Sequence, residues 1–310
     1  MLRSSLIWLS RQKSIFRFVR DNGFAKKMAS RFIAGETIGA ACDAVAVLNT
    51  QGVTASLDQL GESVTSEAEA RETGRRYLEL LDEIHRRGLN ANVSVKLTSL
   101  GQDISDAICE EITRSILDRA KQYGTFVRLD MEGSNLTQRT LDFFAQRLYP
   151  DYPENVGIVL QSMLRRTAKD VVWANEKQCR VRICKGAYLE PAAVAFPDKK
   201  DVDRSYVECA KALIEHGKYP GIATHDPAII NEINAWAKSA GISPDRFEYQ
   251  MLYGVRRDLQ EKLVKDGWRL RLYVPFGTQW YPYLMRRMAE RPANLWFITG
   301  NVLKETFKSR

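Results

Sequence analysis

Apolar and polar positions alternate in eight short runs spread along the chain. They read VTASLDQLG from residue 53, NVSVKLTSL from 92, FVRLDMEG from 126, VGIVLQSM from 156, RVRICKGAY from 180, YPGIATHDP from 219, FEYQMLYG from 247 and RLRLYVPFG from 269. Period-two alternation predicts β-strands. Between the runs lie charged segments of helical period, such as SEAEARETGRRYLELLDEIHRR and DRSYVECAKALIEHG. Strands that each lead into a helix predict parallel crossovers. The economical arrangement of eight such units is a closed (βα)8 barrel of the TIM type, an α/β fold. On this reading residues 1–50 form an N-terminal helical arm and residues 51–310 form the barrel.

Parity within the runs separates two faces. Val93, Val95 and Leu97 oppose Ser94, Lys96 and Thr98, while Val127, Leu129 and Met131 oppose Arg128, Asp130 and Glu132. Val181 and Ile183 oppose Arg182, and Leu270, Leu272 and Val274 oppose Arg269, Arg271 and Tyr273. The aliphatic face is expected to meet the helices and the polar face to point into the barrel. Barrel active sites sit at the carboxyl ends of the strands. There the inward set is Lys96, Asp130, Gln161, Arg182, His225, Gln250, Leu252 and Tyr273. Barrel interiors are ordinarily filled by Val, Ile and Leu, and buried charge is costly unless paired. This face therefore favours a site for a polar ligand over an ion-pair network that only fills the lumen.

Composition narrows the class. A chain of 310 residues, 45% hydrophobic and 27% charged, is globular in character, which excludes a disordered or collagenous protein. No run reaches the roughly 18 apolar residues of a membrane-spanning helix. The net charge of +8 favours anionic partners without choosing among nucleic acid, membrane surfaces and acidic small molecules. Five basic groups and no acid fall in the first twenty residues, a composition shared by presequences and by native basic amphipathic helices. Five cysteines without a CxxC pair suit a reducing, cytoplasmic setting and no closed disulfide set. Three histidines without an HExxH cluster argue against a metal site.

Three features carry candidate chemistry. Arg286 and Arg287 stand together on the helix expected after the last strand, and guanidinium forks match a carboxylate or phosphate. Lys185, Gly186 and Ala187 end the fifth strand, where glycine permits close backbone approach to a ligand. There is no GxGxxG and no GxxxxGK[ST], so a Rossmann or P-loop nucleotide site has no support. Lys96 leaves three roles open: a Schiff-base lysine, a carboxylate-binding cation, or the partner of an acid such as Asp130.

A longer series of motifs bears a resemblance. It comprises LGE at 60–62, VSVKLTSLG at 93–101, RLDMEGS at 128–134, VLQSMLRRT at 159–167, VRICKGAYLEP at 181–191, ATHDP at 223–227, FEYQMLYG at 247–254, YVPFG at 273–277 and YPYLMRRMAERPAN at 281–294. In this order they resemble proline dehydrogenase, in its compact monofunctional bacterial form. The resemblance implies a distorted (βα)8 barrel that holds non-covalent FAD at the carboxyl ends of its strands. It implies oxidation of L-proline to Δ1-pyrroline-5-carboxylate, the first step of proline catabolism, with electrons passed to a quinone. Arg286 and Arg287 match a pair that clamps the proline carboxylate, with Lys96 beside them. Tyr273 and Tyr283 match walls of the substrate pocket, Leu252 a contact to the ring, and Glu62 an acid that gates the pocket. Asp130 and Arg182 match active-site positions, the arginine close to the reactive edge of the flavin. Met131, Gln161, Lys185, Gly186, Ala187, Tyr188, Lys199, Thr224 and His225 match flavin contacts.

The same resemblance implies a separate pyrroline-5-carboxylate dehydrogenase to take the product, since no second catalytic domain is recognised, and no nucleic-acid partner. Electron transfer to a membrane quinone adds the expectation of a peripheral membrane contact through the basic arm, on the inner face of the plasma membrane. Three alternatives remain: a hydroxyproline dehydrogenase, a flavin-free aldolase or lyase acting through Lys96, and a basic protein that binds RNA or membranes.

Overall fold

Each alternating run becomes a strand because closing the strands on one another buries both of its faces at once. The structure is a computed structural model that describes residues 30–61 and 64–290, with side chains described as far as Met285. Eight parallel strands form a closed barrel in sequence order. They are β1 (Thr54–Gln59), β2 (Ala91–Val95), β3 (Val127–Leu129), β4 (Val156–Gln161), β5 (Arg180–Cys184), β6 (Gly221–Ala223), β7 (Glu248–Leu252) and β8 (Leu270–Phe276). Pairing of β8 with β1, from Thr54 opposite Arg271 to Gln59 opposite Phe276, completes the circle.

Helix α1 (Ile38–Thr50) precedes the barrel and packs on β1 and β8. The crossovers are α2 (Glu67–Arg86), α3 (Asp106–Gln122), α4 (Ser134–Phe143), α5 (Thr167–Lys177), α6 (Lys199–His216), α7 (Pro227–Ser239) and α8 (Arg257–Lys265), and α9 (Trp280–Glu290) follows β8. Local chemistry starts them cleanly: Ser66 caps α2, Ser105 caps α3, and Asp226 caps α7 ahead of Pro227 at its first turn. The outward strand residues, among them Leu57, Val95, Leu129, Ile158, Ile183, Ile222 and Val274, are fully buried against Tyr77, Leu80, Ile116, Tyr206 and Ile233 of the helices.

Two strands end earlier than the alternation suggests. After Val95 the chain turns into a 3-10 segment, Leu97–Leu100, because the Ser99 hydroxyl donates to the Lys96 carbonyl at 2.7 Å and Gly101 closes the turn at φ +91°. After Leu129 a single further bond, Asp130 N–H to the Val95 carbonyl at 2.8 Å, extends the pairing. Both breaks lift Lys96 and Asp130 into the barrel mouth. All five cysteines are free. Among the described residues no helix is long and apolar enough to cross a membrane.

Candidate active site

The polar strand residues meet inside the barrel in two layers. On the floor, near the amino ends of the strands, Arg271 Nε donates to Glu248 Oε1 at 2.7 Å and its Nη1 donates to Asn92 Oδ1 at 2.9 Å. Arg128 Nη1 donates to the carbonyls of Ile158 and Arg180 at 3.0 and 2.8 Å. This floor, in which Arg128 Nε alone among these groups is buried without a partner among the described residues, is the ion-pair network that stood as the alternative to a ligand site, and a second layer of polar groups lies above it.

Arg182, on β5, joins the layers. Its guanidinium donates through Nε to Gln250 Oε1, through Nη1 to Asp130 Oδ1 at 2.8 Å, and through Nη2 to the hydroxyls of Ser94 and Ser56 at 3.2 and 3.4 Å. It also lies over the Tyr273 ring, 5.2 Å from the centroid. Tyr273 donates its hydroxyl to Asp130 Oδ2 at 2.7 Å, so one carboxylate ties β3, β5 and β8 together. Beside it Lys96 Nζ lies 3.0 Å from Asp58 Oδ1 and 3.9 Å from Asp130 Oδ2. Burial alone would lower the Lys96 ammonium, but Asp58 and Asp130 outweigh it and hold the group above its ordinary value. A Schiff-base nucleophile must be a neutral amine, so this environment opposes the aldolase role. Burial pushes the Asp58 carboxyl up, with Lys96 pulling against it and Asp130 adding to the rise. Burial, with Asp130 and Asp58 nearby, likewise raises the Tyr273 phenol well above its ordinary value and keeps it protonated.

Around this centre stand the other sequence-predicted residues. Gln161 ends β4; its Nε2 donates to the Glu132 carbonyl at 3.2 Å, and its buried Oε1 has no partner among the described residues. Leu252 ends β7, and its N–H donates to His225 Nε2 at 2.8 Å, which places the imidazole proton on Nδ1. Thr224 and Met131 are buried at the same rim. Gly186 has φ +107°, a backbone conformation strained for any residue with a Cβ, and a Cβ there would press on the Met163 side chain. Lys185 pairs with Asp203 at 2.6 Å and Asp226 at 3.0 Å, and Lys199 bonds Asp203. Their charge is thus balanced: the cluster offers N–H donors to an anionic group but no net positive charge. Ala187 and Tyr188 lie exposed on the loop that follows. Tyr283 is buried on α9, which also carries Arg286 and Arg287, whose side chains lie outside the described residues, as does Glu62.

The pieces fit a planar heterocycle with an anionic tail. Gln161 Oε1 is a buried acceptor open to an N–H donor, Arg182 supplies positive charge on the neighbouring strand, and the backbone at Gly186 admits close approach. Asp58 is the site residue that sequence reasoning missed. The signal was present: Ser56 and Asp58 oppose Ala55 and Leu57 with the same parity as the other strands.

The Lys96–Asp58 pair yields a first prediction. Asp58→Asn leaves the ammonium short of its nearer counter-charge and lowers stability by about 2 kcal/mol, the value for a buried pair reduced for the partial exposure of Lys96. Adding Lys96→Met recovers most of that loss in urea unfolding. Independent, additive losses for the two substitutions would rule out the coupling.

Comparisons with known proteins follow this geometry. The proline dehydrogenase family model matches residues 41–299. Proline dehydrogenase of Deinococcus radiodurans is 38% identical over 98% of this chain and 98% of its own length. Proline dehydrogenase 1 of Bacillus subtilis is 39% identical over 98% of this chain and 100% of its own. Among solved structures, proline utilization A from Bdellovibrio bacteriovorus, inactivated by N-propargylglycine, is similar with TM-score 0.81 and 26% identity. That match covers 92% of this chain, which spans 38% of the larger protein. Proline utilization A from Bradyrhizobium japonicum shares the fold at TM-score 0.73. With a family match that spans the whole barrel and relatives aligned end to end, the chain belongs to the proline dehydrogenase family.

Proposed function

We propose that this enzyme oxidises L-proline to Δ1-pyrroline-5-carboxylate at the carboxyl ends of its strands, using non-covalent FAD and returning electrons to a quinone. The observation that carries the reading is the Asp130-centred cluster, which holds a guanidinium and an ammonium at the mouth of a barrel of this family. When bound, the flavin supplies the hydride acceptor.

The chain's own part is to bind, orient and exclude water. Lys96, held as an ammonium, attracts the substrate carboxylate, and Arg286 and Arg287 of α9 complete the clamp. Leu252 and the rings of Tyr273 and Tyr283 give the apolar pyrrolidine ring its walls. Glu62 gates entry. Arg182, fixed by Asp130 and Gln250, keeps positive charge where negative charge develops during hydride transfer. Gln161, Met131, Thr224, His225 and the segment Lys185 to Tyr188, with Lys199, hold the cofactor. A separate pyrroline-5-carboxylate dehydrogenase consumes the product, and the basic arm gives peripheral contact with the membrane.

The test is the visible spectrum of the purified protein before and after anaerobic addition of L-proline. A two-banded flavin spectrum that bleaches is expected. A flavin spectrum indifferent to proline but bleached by hydroxyproline would transfer the assignment to that substrate, and a colourless protein that FAD cannot activate would overturn it.

Two further predictions concern the cluster. The substrate amine must lose its proton before hydride can leave, whereas Lys96 stays charged and Tyr273 stays neutral through this range. The rate of flavin reduction therefore rises from neutral to alkaline pH; a flat or falling profile would contradict that order of events. Tyr273→Ser removes both the bond to Asp130 and the ring beneath Arg182. It is expected to weaken proline binding by about tenfold and to relax discrimination against hydroxyproline. Unchanged kinetic constants for both substrates would defeat this role.

A further inference from the structure

Gln250 stands between two groups that leave its amide one orientation. On its upper side Arg182 Nε–H can only donate, and it meets Oε1. On its lower side Glu248 can only accept while ionised, and Gln250 Nε2 donates to Glu248 Oε1 at 2.6 Å. Glu248 is itself anchored by Arg271 Nε at 2.7 Å and by the Tyr219 hydroxyl at 3.2 Å. Burial works to raise its carboxyl, yet Arg271, Gln250 and Arg128 outweigh that and hold it below the ordinary carboxylate range, so it remains an acceptor at neutral pH. A second feature serves the same amide. Gly221, on the neighbouring strand β6 and in register with Glu248, lies against that amide, and a Cβ there would collide with Gln250 Nε2.

A guanidinium has five N–H groups. Among the described residues four of those on Arg182 are engaged, by Gln250, Asp130, Ser94 and Ser56. The remaining one is the second hydrogen on Nη1, on the Asp130 side of the group. Its direction is set by the plane of the guanidinium, and the Nε bond is one of the contacts fixing that plane. If the amide of Gln250 turned over, two donors would face each other at Nε, and the plane would have to tilt.

We propose that Glu248 is a positioning residue for the reaction: by locking the Gln250 amide it sets the plane of Arg182 and so aims the last N–H at the bound cofactor. This inference rests on the role given to Arg182 above. Glu248 itself acts at a distance, because it lies four residues below Leu252 on β7, about 13 Å along the strand at 3.3 Å per residue.

The experiment uses the flavin-loaded enzyme, Glu248→Gln, and the exchanged pair Glu248→Gln with Gln250→Glu. The exchange restores an acceptor facing Arg182 Nε and leaves an amide oxygen at position 248 for Arg271. Two readouts are taken: the rate constant of flavin reduction at saturating L-proline, with the proline Kd, and the water exchange of the Arg182 Nε–H by NMR in the absence of substrate. Arg182→Lys identifies that signal by its disappearance. In Glu248→Gln the rate constant is expected to fall about tenfold with Kd within about twofold of the parent, and the Nε–H to exchange faster. The exchanged pair recovers both. A lowered Tm with unchanged rate and unchanged exchange would reduce Glu248 to a structural ion-pair partner and overturn the proposal. So would a folded exchanged pair that recovers neither readout, or failure of both variants to fold. If proline never bleaches the parent flavin, the proposed function fails on its own, while the Nε–H exchange still decides whether Glu248 holds the Arg182 contact.

Discussion

A guanidinium buried at the centre of a closed barrel is the constraint on which the rest of this site depends. Left unpaired, such a charge costs several kcal/mol, so the surrounding strands are committed to it. Ser56 of β1, Ser94 of β2, Gln250 of β7, Tyr273 of β8 and Asp130 beyond β3 all turn toward Arg182. The network is graded along the barrel axis. Its floor, built on Glu248, Arg271 and Arg128, is largely satisfied within itself. Its mouth keeps a buried Gln161 acceptor, an ammonium and two acids within reach of a guest.

That grading reconciles two descriptions of a charged lumen. A network that only fills space would close on itself at both ends, whereas this one leaves an acceptor, Gln161 Oε1, open at the mouth. At the mouth, Asp58 and Asp130 balance Lys96 and Arg182 in formal charge, with the Glu132 carboxyl close by and bonded by the Thr98 hydroxyl at 2.8 Å.

The barrel and the composition of its lumen were legible in the sequence because alternation is local. Lys96, Asp130, Arg182, Gln250 and Tyr273 converge as parity requires. The strand ends were less legible: parity continues past Val95 and Leu129, and the turn that stops β2 depends on a Ser99 hydroxyl bond. Asp58 and Glu248 have the right parity too, but a lone acid in a strand carries no mark of partners on other strands, Lys96 and Arg271. Nothing in the sequence around Lys185 shows the Asp203 and Asp226 that the fold brings against it. Contacts of this kind are non-local, and a single sequence does not encode them visibly.

Closure of β8 on β1 has a consequence for how the chain matures. The first strand to leave the ribosome is edged by the last, with Thr54 bonded to the Leu270 carbonyl across 216 positions. Until β8 emerges, β1 presents an unpaired edge, and Ser56 and Asp58 wait beside an incomplete lumen. The barrel therefore cannot lock its interior charges vectorially, one βα unit at a time. Sealing of the lumen waits on the eighth strand, and until it arrives the open edge of β1 is the exposed hazard of the nascent barrel.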